Sequence, residues 1–363
     1  MSYKRLTAYG VALLITVATI ADVSAKEPPY FPSNWLNSEP MTVEGLKGKL
    51  VVLWFYVYKP PQPQKRNRRY NRKPAAGEPD KEVVTDFSKN SDLAEAIKGS
   101  KAYQGKPVIF IAVNPNNDIR IVQQSAKILG IPWPVIADPD RSYTREVDVD
   151  GLNDENINQV MIITPSGSLI KGDWTNVDSS INAHIDSAKW KMDPSEVPKS
   201  LKTTWQLVEI GYYAKAMPGI KRYLKSRDEA SKAAAQKLLD IVNGDLDGRL
   251  SSAKALSSWE SYKYLIRFVT EFGAFPQGKA AKEELKKLSK DKQVQRELLA
   301  KNVLAKIKTM LYGKKPKYAN RNQRQRQATG NKQIEDALWK LVKEYDDTEA
   351  GKQAAGVLAK LAP

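Results

Sequence analysis

Apolar residues fall along this chain in two regimes. In the first half they come in short unbroken runs separated by turn residues. In the second half they recur at helical spacing. "GKLVVLWFYV", closing at Val57, is apolar after its Gly-Lys opening, and so long a run suits a strand covered on both faces. "PVIFIAVN" reads as a second buried strand, and "WPVIADPD" as a short one closed by a turn. "QVMIITPSGSLIKGDW" predicts a hairpin, Gln159–Thr164 against Ser168–Gly172, joined through Pro165-Ser166-Gly167.

Helical spacing separates these strands. Val84, Phe87, Leu93 and Ile97 repeat at helical intervals, with a break expected near Asn90. Ile121, Val122, Ser125, Ile128 and Leu129 share one helical face, and Gly130 stops that helix. "VDSSINAHIDSAKW" predicts a closing helix with an Asp/Ser cap. Strands alternating with helices, then a hairpin, make an α/β layer with a mixed sheet flanked by helices. From about Lys26 to Gly45 the chain reads as proline-rich and irregular, with residues 26–36 as an irregular N-terminal segment.

After "MDPSEVPKS" the strand signals stop, so residues 191–200 are expected to be a linker and 201–363 an all-α domain of helical hairpins. That half repeats itself. "LIRFVTEFGAFPQGKAAKEELKKL", from Leu265, aligns without gaps to "LWKLVKEYDDTEAGKQAAGVLAKL", from Leu338. The identities include Leu265/Leu338, Gly278/Gly351, Ala281/Ala354 and Leu285/Leu358. The offset is about twice a tetratricopeptide unit, so tetratricopeptide-like hairpins are expected, with Leu285, Leu288, Leu358 and Leu361 in the seam. A basic stretch at 313–331 is expected to be an exposed loop.

Composition adds charge and removes sulfur. The 363 residues carry a formal net charge of +17, which points to an acidic partner or surface. Cysteine is absent, which excludes disulfides, thiol nucleophiles, thiolate metal sites and iron–sulfur clusters. Lys4 and Arg5, an apolar stretch from Val11 to Ile20, and small Val23 and Ala25 give a signal-peptide layout over 1–25. Cleavage is expected after Ala25, with a secreted or periplasmic destination and no transmembrane span left behind; the rival reading is an uncleaved anchor, for which the apolar run is short.

Little else carries chemistry. The single histidine, His184, reads as a partly buried helix residue. Asp138 and Asp140 read as turn caps before paired acid/base carboxylates. Trp54, Trp133, Trp174, Trp190 and Trp205 read as core and interface residues. There is no phosphate-binding glycine loop and no nucleophile elbow, and no metal or other cofactor is called for.

The first half resembles the thioredoxin-like redoxin family of exported thiol–disulfide oxidoreductases and peroxiredoxins. Gly48-Lys49 and Trp54-Phe55-Tyr56 are similar to that family's opening and active-site strand. Pro134, Val135, Asp138, Pro139 and Asp140 resemble its Pro-Val-x-x-Asp-Pro-Asp segment. Ile162, Ile163, Pro165 and Gly167 resemble its final hairpin. The resemblance implies a thioredoxin-like domain over 37–190 with a basic insertion at 59–80. It also implies where the redox residues would stand. The two dithiol positions are occupied by Pro60 and Pro63, and the cis-proline position by Asn158. Dithiol exchange by this chain alone is thereby ruled out, and a non-catalytic protein is expected.

The strand that would deliver a dithiol runs instead into "KPPQPQKRNRRYNRKP". Lys65, Arg66, Arg68, Arg69, Tyr70, Arg72 and Lys73 are therefore the candidate anion-binding set. The competing reading is a solvated loop whose charges merely repel one another. The expected partner is an anionic envelope polymer or an acidic protein, with nucleic acid less favoured. A protein partner could also occupy the helical-repeat groove. The alternative function is a redoxin that acts only with a partner's thiols.

Overall fold

The computed structural model describes residues 24–29, 31–58, 91–149, 152, 158–312 and 321–361. The chain divides into two compact units, Met1–Tyr212 and Tyr213–Pro363.

The first unit is built on a six-stranded sheet. Its strands are β1 (Trp35–Leu36), β2 (Leu50–Tyr56), β3 (Val108–Asn114), β4 (Val135–Ala137), β5 (Asn158–Ile163) and β6 (Leu169–Gly172). The spatial order is β1-β4-β3-β2-β5-β6. β2, β3 and β4 run parallel, while β1, β5 and β6 pair antiparallel with their neighbours. A parallel core continued by an antiparallel hairpin, with helices on its faces, is the thioredoxin-like arrangement.

The unbroken apolar run of β2 has a simple cause. Leu50, Val52, Trp54 and Tyr56 enter the core on one face, with Phe110, Trp133 and Ile162. Val51, Leu53 and Phe55 enter the core on the other, with Ile111, Tyr143 and Ile163. Side chains alternate along a strand, so a strand covered on both faces must be apolar at every position.

The helices of this unit are short: α1 (Val43–Leu46), α2 (Ser91–Gly99), α3 (Ile119–Ile128), α4 (Ser142–Glu146), α5 (Val177–Asn182) and α6 (Lys202–Glu209). The stretch from Lys26 to Gly45, read as irregular, thus contains β1 and the start of α1. Thr42 caps α1 by accepting the Gly45 N–H at 3.0 Å. On α3, Val122 and Ser125 are buried, whereas Ile128 is 51% exposed and falls outside the expected face. The closing helix ends at Asn182, and its cap is Asn176, which accepts the Ser179 N–H.

The division lies beyond the expected linker at 191–200, and α6 belongs to the first unit. A buried ion pair holds it there. Lys49 Nζ lies 2.6 Å from Glu209 Oε2, with the two side chains 0% and 1% exposed. The Glu209 carboxylate also accepts the Lys191 and Met192 backbone N–H groups at 2.8 and 2.9 Å. Trp205 Nε1 donates to Met192 O, and Trp190 packs edge-on against Trp205. Gly211 passes so close to Gly45 that an added Cβ would lie 2.7 Å from its Cα. The start of the segment read as a linker is therefore tied to α6.

The second unit is helical: α7 (Tyr213–Tyr223), α8 (Glu229–Lys254), α9 (Ser258–Phe272), α10 (Pro276–Leu288), α11 (Lys292–Tyr312), α12 (Arg321–Glu344) and α13 (Glu349–Leu361). The basic stretch at 313–331 is not a loop throughout, because α12 starts at Arg321; arginine and glutamine are good helix formers. The sequence repeat has a structural counterpart in the α9–α10 and α12–α13 pairs. A Cβ on Gly278 would lie 1.9 Å from Phe272 O, and one on Gly351 1.8 Å from Tyr345 O. Both copies need glycine for the same backbone crossing. Leu265 and Leu338 are buried in both, as are Ala281 and Ala354. Leu285 and Leu288 are only half-buried, so that seam is shallower than expected.

Candidate functional site

The carboxyl end of β2 is where a redoxin strand would hand over to its dithiol. Trp54 and Tyr56 are buried there on one face, and Tyr58 follows, also buried. The described chain stops at Tyr58 and resumes at Ser91, the first residue of α2. Pro60, Pro63, Lys65, Arg66, Arg68, Arg69, Tyr70, Arg72 and Lys73 lie outside the described residues, as does nearly all of the 1–25 signal segment. Ser24 and Ala25 are described: Ser24 bridges Ser168, and the Ala25 N–H donates to Gly167 O at 2.8 Å.

Asn158 is the one candidate redox position in view. It opens β5, directly opposite Tyr56 on β2. Its Oδ1 accepts the Trp54 indole N–H at 3.0 Å, and its Nδ2 donates to Asp92 Oδ2 at 3.4 Å. Asp92 sits in the first turn of α2. One amide thus joins β2, β5 and α2, with its donor and acceptor both engaged.

A second polar pair lies on the same strand. Tyr56 Oη and Ser125 Oγ are 3.2 Å apart, and Ser125 Oγ also donates to Val122 O. Burial pushes the Tyr56 hydroxyl above its ordinary pKa, more than its polar neighbours Ser125 and Asn114 pull it down. It is a neutral hydroxyl at physiological pH. The arrangement holds strands and helices together.

The other sequence candidates have structural roles. Asp138 is buried and accepts the Tyr143 and Thr144 N–H groups at 3.2 and 2.7 Å and the Thr144 hydroxyl at 2.6 Å. Asp140 accepts the Ser142 hydroxyl and N–H, and these bonds hold its carboxyl below the usual range. Both aspartates serve the start of α4. His184 lies in the turn after α5, half-buried, and not in a helix. Among the tryptophans, Trp174 is 38% exposed, unlike buried Trp54, Trp133 and Trp205. Among the described residues, no group of carboxylates and imidazoles could hold a metal ion.

Solved structures of thioredoxin-family proteins resemble this chain. A secreted disulfide oxidoreductase from Mycobacterium tuberculosis, homologous to E. coli DsbE, is 14% identical. It covers 42% of this chain and 96% of its own, at a TM-score of 0.28. A thiol:disulfide interchange protein of the thioredoxin family from Chlorobium tepidum is 16% identical, covering 46% and 99%, at 0.29. The thioredoxin domain of a Bacteroides vulgatus thiol-disulfide oxidoreductase is 12% identical, covering 45% and 98%, at 0.30. No family model matches the chain, and no curated protein does. The thioredoxin-like assignment rests on the strand order and register of the sheet itself.

Sequence reasoning missed two features. Glu209 pairs with Lys49 from far along the chain, and nothing local announces it. Trp259 lines a cleft in the second unit with Lys263, Glu297, Lys301 and Glu349. The helical spacing of those residues was legible, but which faces meet was not.

Proposed function

We propose that this chain is an exported, non-catalytic binding protein that uses a thioredoxin-like scaffold to present positive charge. One observation carries the reading. The strand that would deliver a redox dithiol is intact, while the chain has no sulfur nucleophile and continues from that strand into a run of Lys and Arg. Thiol exchange needs a thiolate, so the scaffold is left with shape and charge. Carboxyl ends of strands are where α/β folds place their ligand sites. Lys65, Arg66, Arg68, Arg69, Arg72 and Lys73 suit phosphate, sulfate or carboxylate, and Tyr70 offers a stacking face. The ligand is an anionic envelope polymer or an acidic protein, with tetratricopeptide-like hairpins of the second unit supplying a groove for a protein partner.

Export is part of this proposal. It rests on the signal-peptide layout at 1–25, and no helix among the described residues is long and apolar enough to cross a membrane.

The test is a heparin titration at increasing salt. Affinity is expected to fall by about tenfold or more between ~50 and ~200 mM salt. Replacing Arg66, Arg68, Arg69 and Arg72 by Ala should remove most of the binding. Binding that ignores both salt and these substitutions overturns the proposal.

A further inference from the structure

The second unit holds a cleft of about 220 Å³ between α9, α11 and α13. Three lysines line it, Lys263, Lys301 and Lys308, against two glutamates, Glu297 and Glu349. Both glutamates are already engaged. The buried Glu297 accepts the Glu349 backbone N–H with both oxygens, each at 3.1 Å. Glu349 Oε2 accepts the Trp259 indole N–H at 3.0 Å and lies 3.1 Å from Lys263 Nζ. The Trp259 hydrogen bond, with Lys263 beside it, holds the Glu349 carboxyl below its ordinary pKa, so it is ionised at neutral pH. Lys263 is likewise shared between Glu260 and Glu349.

Lys301 and Lys308 differ. Among the described residues neither makes a close ion pair, although the charge of Lys301 acts on the Glu349 carboxylate from a greater distance. Lys301 Nζ lies over the Trp259 ring, 6.0 Å from its centroid. Lys308 Nζ reaches only the neutral Gln353 amide oxygen, at 3.5 Å. Seven residues apart on α11, they project from the same helical face, with Ala305 between them. The floor beside them is apolar: Leu304, Ala305 and Ala350.

We infer that this cleft binds an acidic peptide segment of a partner protein. Its carboxylates pair with Lys301 and Lys308, and an adjacent apolar side chain packs on Leu304 and Ala305. The cleft is smaller than sites for whole small ligands, which run from about 300 Å³ upward, so it suits one or two side chains of a longer chain. The Gln353 amide can both donate to and accept from a peptide group. Charge complementarity sets the choice of partner: the cleft's own acids are satisfied internally, and its unsatisfied charge is positive. The inference rests on the binding reading above and gives it a partner class and an address.

Fluorescence anisotropy of the full-length chain with a labelled peptide of alternating Glu and Leu tests this. The Lys301→Ala/Lys308→Ala variant should bind about tenfold more weakly, and Lys301→Arg/Lys308→Arg about as well as wild type. A Gln/Leu peptide should not bind. Both lysines are exposed, so the variants should fold, and circular dichroism checks that. Unchanged affinity in the alanine variant, or equal binding of the Gln/Leu peptide, overturns the inference. If only the Arg66, Arg68, Arg69 and Arg72 alanine variant loses the peptide, the cleft assignment fails and the binding proposal stands. If neither this peptide nor heparin binds wild type, both fail.

Discussion

The end of β2 and the α9–α11–α13 cleft treat polar groups in opposite ways. At the strand end, Trp54, Asn158, Tyr56 and Ser125 are buried and bonded to one another or to backbone. In the cleft, Lys301 and Lys308 stand exposed above an apolar floor. Burying a polar group without a partner costs on the order of 1–3 kcal/mol, so a closed interior must satisfy itself. A group satisfied internally has little left to offer a ligand. An exposed cation pays no such cost and stays available. Burial without sulfur at the strand end fits stability, and open charge in the cleft fits recognition.

The largest effect should come from the buried ion pair of the first unit. Glu209→Leu alone leaves Lys49 charged and buried, and should cost about 3–5 kcal/mol in urea denaturation. Adding Lys49→Met should recover only the share due to the unpaired charge, because the Lys191 and Met192 N–H groups still lack their acceptor. A full cost retained in the double variant would assign it to those backbone bonds and not to the ion pair.

The next effect belongs to the repeat. Gly278→Ala and Gly351→Ala each force a Cβ into a backbone carbonyl, and about 3 kcal/mol is expected from each. Only Gly351→Ala should also weaken acidic-peptide binding, because it displaces α13 beside Glu349 and Ala350. Equal peptide binding in both variants would blur the distinction between fold and cleft.

Asn158→Leu strands the Trp54 indole N–H and should cost about 1–3 kcal/mol, while heparin affinity stays unchanged. A loss of heparin binding would put the strand end back among the ligand-binding regions.

The smallest effect is a pH dependence in the cleft. The folded pKa of Glu349 lies below its ordinary value, so its contribution is complete above that value. It is lost as pH falls through the lowered pKa. The side chain is half exposed and screened, so the change should stay below about 1 kcal/mol. Glu349→Gln should flatten that part of the acid stability profile.

How much of this was legible depended on where the determining contacts lie. β2, β3 and β5 are visible in the sequence because burial on both faces forces runs that nothing else explains, while half-exposed β6 is marked by the Pro165-Ser166-Gly167 turn before it. β1 is two residues long and exists because β4 pairs with it, so no local pattern could reveal it. The segment at 191–200 reads as a linker from its prolines, yet Glu209, itself paired near the start of β2, anchors its first residues. The repeat was legible from Gly278 and Gly351, though their reason, a backbone crossing, is visible only in three dimensions. The cleft was not legible. Lys301 and Lys308 look like any charged helix face until α9 and α13 close around them.

The central claim is that a thioredoxin-like scaffold persists here without thiol chemistry. Reduction of insulin disulfides by the purified full-length chain, supplied with dithiothreitol, tests it most directly. The account predicts a rate equal to the reductant-only blank, unchanged in Asn158→Leu. Turnover well above the blank that scales with protein concentration and survives removal of contaminating oxidoreductases would contradict it.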